Sequence, residues 1–110
     1  MEALLLLTNL PDRASAEALA GRLVEQRVAA CVNILAPCRS VYRWEGKAET
    51  AEEVPLLIKT TAARYAAAEA AIRAAHPYEL PEIIAVPVVQ GLPGYLAWVA
   101  AETTPETTAC

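Results

Sequence analysis

Two short apolar runs, Leu4–Leu7 and Val28–Leu35, bracket a segment of helical periodicity, and this arrangement constrains the fold more than any other feature. A continuous apolar run of that length is what a strand covered on both faces requires. Between the runs, Leu19, Ala20, Leu23, Val24 and Val28 recur at the steps of an amphipathic helix that is under way by Ala16. TNLPD supplies the stop before it, with Asp12 or Ser15 placed to cap its first turn. The chain therefore opens as β-α-β.

Pro37 and Cys38 interrupt the second strand, which resumes in SVYRWE. Alternation there sets Tyr42 and Trp44 on one face and Val41 and Arg43 on the other. A turn at Gly46-Lys47 sends the chain back through AETAEEVPLLIK. The hairpin so formed has a charged tip, an apolar base and more length than the core of a 110-residue domain needs. Val54-Pro55 removes a ladder donor, which predicts an edge position or a bulge at that point. Glu49, Glu52 and Glu53 read as a solvated edge.

Thr60 or Thr61 is placed to cap a second helix, TAARYAAAEAAIRAAH, with Tyr65, Ala68, Ile72 and Ala75 as its inward stripe. His76 precedes Pro77, which disfavours helical geometry, so the helix ends there. PEIIAVPVV is a further strand that Pro87 limits to an edge or an early stop. GLPGYLAWV closes the chain as a short helix, with Leu92, Leu96 and Val99 turned inward. The order predicts an α+β fold: a ferredoxin-like β-α-β-β-α-β sandwich with an extra C-terminal helix and a long hairpin between its second and third strands. One domain over residues 1–101 and a flexible tail, 102–110, are expected.

With a net charge of −4 and a pI of about 4.9, the chain has no basic cluster to grip a phosphate backbone, so nucleic acid is not an expected partner. The start, MEALLLLTNL, lacks the basic flank and the apolar length of a signal peptide. No stretch reaches the roughly 18 uninterrupted apolar residues of a spanning helix, so no membrane partner is expected. The expected location is the cytoplasm. Three cysteines without CxxC spacing indicate neither a disulfide framework nor a zinc knuckle. Cys31 reads as a small buried hydrophobe, Cys38 as a loop residue and Cys110 as an exposed thiol in a polar tail.

Catalytic chemistry has little to draw on. His76 is the only histidine, no GxSxG or Cys–His signature accompanies it, and the four glycines form no phosphate-cradling loop. No enzymatic activity is expected. A single histidine cannot fill a coordination sphere, although several copies can converge in a symmetric oligomer. From its residue type and setting, His76 is more often a structural histidine than a ligand.

Taken in order and spacing, AACVNI, SVYRWEG, LIKT, HPYELPEII and GYLAWV resemble the CutA divalent-cation tolerance family, from about Leu4 to Ala100. That resemblance implies a tight homotrimer similar in architecture to PII signalling proteins, with the long hairpin reaching neighbouring subunits. It implies a role in tolerance of copper and other divalent ions, with no required cofactor and no established reaction. It also implies an interface cleft that gathers Tyr42, Trp44, Lys59, His76, Tyr78 and Glu82, with Lys59 and Glu82 free to pair. Within that cleft His76 is the candidate copper ligand. Relatives implicated in copper binding carry cysteine and histidine where this chain has Thr8 and Ala75, so only weak Cu(II) binding is expected. A PII-like scaffold that binds a small ligand or partner protein in the same cleft is the alternative.

Overall fold

The computed structural model describes residues 2–105 and forms one antiparallel sheet with helices on both faces. In chain order the elements are β1 (Ala3–Leu10), α1 (Arg13–Glu25), β2 (Cys31–Ile34), β3 (Cys38–Trp44), β4 (Lys47–Thr61), α2 (Tyr65–Ala75), β5 (Ile84–Pro87) and α3 (Pro93–Glu102). A 3-10 turn, Ala62–Arg64, leads into α2. The sheet runs β2-β4-β1-β5, with β3 pairing to β4 beyond β2. This is the ferredoxin-like order, with the expected second strand divided into β2 and β3.

That division explains Pro55. Ile34 pairs with Leu56 and Cys38 with Glu53, so Leu35, Ala36 and Pro37 face only Val54 and Pro55. The bulge is on the opposing strand, while β4 itself is central. The Pro55 carbonyl accepts from the Leu35 N–H at 3.0 Å. Because the N–H and C=O of one strand residue face the same neighbour, the missing donor points at the break in that strand, where no partner waits.

Side chains at even positions of the central strands build the core. Leu6, Leu10, Leu56 and Ile58 point to one face, where Leu19 and Leu23 of α1 and Ile72 of α2 cover them. Burying each such side chain contributes roughly 1.5–3 kcal/mol. The odd positions face the other way. Leu5 and Leu7 are only half-buried there, and β5 adds Ile84 and Val86, 50% and 42% exposed, in register beside them. The apolar run of β1 is thus covered fully on one face only.

Of the two expected caps of α1, Asp12 serves: its Oδ1 accepts from the Ser15 N–H at 2.8 Å, and the helix starts at Arg13. Other local expectations are corrected. Neither threonine caps α2: Thr60 Oγ1 donates to the Val28 carbonyl at 2.7 Å, and Thr61 Oγ1 is buried with no partner among the described residues. The hairpin turns at Glu45-Gly46, whose φ values of 51° and 80° lie in the left-handed region that a two-residue turn requires. Leu92 faces solvent, and only Val99 of α3 is fully buried. The tail does not begin at residue 102: α3 runs through Glu102, and buried Thr103 donates from Oγ1 to the Val99 carbonyl at 2.9 Å. Cys110 lies outside the described residues.

Candidate functional site: an acidic, aromatic cleft

His76 ends α2 as the sequence indicates, with extended backbone before Pro77. The residue is 8% exposed, and both ring nitrogens are engaged by the backbone. Nε2 lies 2.7 Å from the Asn9 carbonyl, and Nδ1 accepts the Tyr78 N–H at 3.2 Å. A carbonyl can only accept and an amide N–H can only donate, so Nε2 carries the hydrogen and Nδ1 offers its lone pair to Tyr78. Neither nitrogen is left for a metal in this arrangement. The ring instead ties the end of α2 to the end of β1.

The rest of HPYELPE is pinned in the same way. The Tyr78 hydroxyl donates to Glu53 Oε2 at 3.0 Å, and Asn9 Nδ2 donates to Glu82 Oε1 at 3.2 Å. The Tyr78 ring stacks at a tilt on His76, their centroids 4.8 Å apart. Burial, then the hydrogen bond and negative charge of Glu53, push the Tyr78 phenol up to about 12. Tyr78 is therefore a donor at neutral pH, and it bridges the loop to the hairpin.

Between that loop and the hairpin lies a cleft of about 620 Å³. Tyr42, Trp44 and Tyr78 supply aromatic surface, Glu53, Glu79 and Glu82 supply carboxylates, and Leu80 and Val41 form apolar margins. Among the described residues no lysine or arginine lines it. The one ion pair among them, Arg13–Glu17 at 4.0 Å, lies on α1.

Of the six residues expected together, Tyr42, Trp44, Tyr78 and Glu82 line this cleft, and His76 braces it from behind through Tyr78. Lys59 does not join them. It pairs across the sheet with Leu5 and Cys31, and its Nζ donates to Asn33 Oδ1 and approaches Cys31 Sγ at 3.8 Å. The expected Lys59–Glu82 pair is absent, since Glu82 accepts from Asn9 instead. Cys31 is half-exposed rather than buried, facing Lys59 on the odd side of the sheet.

Among the lining residues that escaped the sequence reading, including Glu79, Leu80 and Val41, two hold the site together: Glu53 and Asn9. Glu53, counted there with a solvated edge, is 9% exposed and forms the floor beneath Tyr78. Its position where the charged run meets VPLLI is the one available signal. Asn9 holds both His76 and Glu82, and only its place at a strand end marked it.

These features define a class: a ferredoxin-like α+β protein with an overlong hairpin and an acidic, aromatic cleft at its root. The sequence matches the profile of the CutA1 divalent ion tolerance proteins over residues 4–102, and the chain belongs to that family. It is 41% identical over 103 residues to the divalent-cation tolerance protein CutA of Thermus thermophilus, covering 94% of this chain and 99% of that one. The solved structure of CutA from Xylella fastidiosa superposes with a TM-score of 0.91 at 47% identity, covering 94% of this chain and 100% of the other. The structure titled periplasmic divalent cation tolerance protein CutA, from Archaeoglobus fulgidus, gives 0.89 at 35% identity, covering 93% and 99%.

Proposed function

We propose that this divalent-cation tolerance protein works in the cytoplasm as a homotrimer whose cleft takes a small ligand or partner protein, rather than as a carrier that holds copper through His76. The observation that carries this reading is the double backbone engagement of the only histidine. Taking up Cu(II) at either nitrogen would break one anchor of the HPYELPE loop. Among the described residues, no three His, Cys, Asp or Glu side chains are grouped to hold an ion instead. The role proposed is non-enzymatic.

Assembly is supported by the half-covered sheet face. Leu5, Leu7, Leu57, Ile84 and Val86 form an apolar surface on the odd side of the sheet, and β2, β3 and β5 keep unpaired edges. Exposed surface of this kind is what a stable oligomer covers. The hairpin, with Val41 71% exposed, extends away from the core toward the space a neighbour would occupy.

Calorimetric titration with Cu(II), on wild type and His76→Ala with Cys110→Ser in both, tests the metal half. The same weak or absent binding in both proteins is expected. Saturable binding lost in the alanine variant would contradict the reading and restore His76 as a ligand. A thermal-shift screen tests the ligand half, and a metabolite that stabilises the trimer while copper does not is the expected result.

A further inference from the structure

We propose that the cleft is a site for a small organic cation, an ammonium or guanidinium group carried on an apolar body. This rests on the reading of the cleft as a ligand site and names the ligand's chemical class. Its walls carry the argument. Three carboxylates, Glu53, Glu79 and Glu82, converge on one concavity with no lysine or arginine among its lining residues. Glu53 is nine-tenths buried with a single neutral donor, the Tyr78 hydroxyl, to oppose its charge. Carboxylates in such a setting favour a cationic partner and repel phosphate-bearing or carboxylate ligands.

The aromatic surface decides between kinds of cation. Tyr42 and Trp44 stand half-exposed on the hairpin side, and Tyr78 stands opposite. A cation over such rings gains from their quadrupoles, most strongly at tryptophan. The volume of about 620 Å³ suits a small molecule rather than a bare ion. A compact divalent metal would need ligands grouped at coordination distance, and none are so grouped among the described residues.

Three probes of one shape and different charge test this: benzylamine, benzyl alcohol and benzoate, titrated by calorimetry into the assembled protein. Benzylamine is expected to bind saturably and at least about tenfold more tightly than the alcohol, with benzoate not binding. Trp44→Ala and Glu79→Gln, both at exposed positions, are each expected to weaken benzylamine severalfold while leaving the thermal midpoint unchanged. Equal binding of benzylamine and the alcohol, tighter binding of benzoate, or benzylamine binding indifferent to both substitutions would overturn the inference. So would no binding of any probe. In all of these cases the ligand-cleft reading still stands or falls on its own screen: an anionic or neutral metabolite whose binding is lost in Trp44→Ala would keep the cleft and discard the cation.

Discussion

His76 shows how a lone histidine can serve as a clamp between backbone segments. The ring donates from Nε2 to the carbonyl of Asn9, 67 residues away, and its second nitrogen accepts the N–H of Tyr78, fixing the next turn of chain. His76→Ala leaves the carbonyl of half-buried Asn9 without its donor and the N–H of Tyr78 without its acceptor, and a loss of about 2 kcal/mol in urea unfolding is expected. Tyr78 adds a pH dependence. Its phenol titrates near 12 when folded against 10.0 in its unperturbed form. Since the folded value is raised, its contribution is fully present below pH 10 and is lost as pH climbs toward 12. Wild-type stability should fall across that window more steeply than Tyr78→Phe stability, and parallel curves would contradict the bond to Glu53. Thr8 offers the reverse case: its Oγ1 is fully buried with no partner among the described residues, so Thr8→Val should raise stability by about 1 kcal/mol. At this scale the sequence was only partly legible. Aromatic alternation in SVYRWE placed Tyr42 and Trp44 correctly, but opposite charge on Lys59 and Glu82 said nothing of distance. Lys59 sits on β4 and Glu82 in the loop before β5, and each bonds an uncharged amide close by, Asn33 and Asn9.

Elements were easier to read than their ends. Helical periodicity and the His76-Pro77 step located α1 and the end of α2 because both depend on local sterics. Pro55 was harder: the rule against central prolines holds for donors that face a partner, and here the partner strand is broken. The join between α1 and α3 was invisible in sequence because it spans the whole chain. Arg27 closes α1 with a left-handed φ of 59° and donates from Nε to the Thr104 carbonyl at 2.9 Å and from Nη2 to the Ala101 carbonyl at 3.0 Å. A cation at the end of α3 also meets the negative end of its dipole. Arg27→Ala keeps the backbone strain and loses both bonds, so a cost of about 2 kcal/mol is expected in thermal or urea unfolding. Arg27→Gly relieves the strain and should cost less. Equal costs would mean that the conformation, rather than the side chain, matters little at this position.

For the whole molecule, the half-covered sheet is the feature that supports the proposed assembly. One face is sealed by α1 and α2, while the other presents Leu7, Leu57 and Ile84 along one row and Leu5 and Val86 along the next. Ile84→Lys, at an edge that is already half-exposed, should reduce the light-scattering mass from three chains toward one. A wild-type mass of one chain at micromolar concentration would refute the assembly. The cleft lies where this face meets the hairpin, and its depth depends on the loop that His76 holds in place. The most direct measurement is therefore nitrogen NMR of the single histidine in the assembled protein, before and after addition of Zn(II), a diamagnetic divalent ion. The hydrogen should be on Nε2, the lone pair on Nδ1, and both signals unmoved by the metal. An unprotonated Nε2, or a shift that saturates with added ion, would show a ligand where a backbone clamp is described.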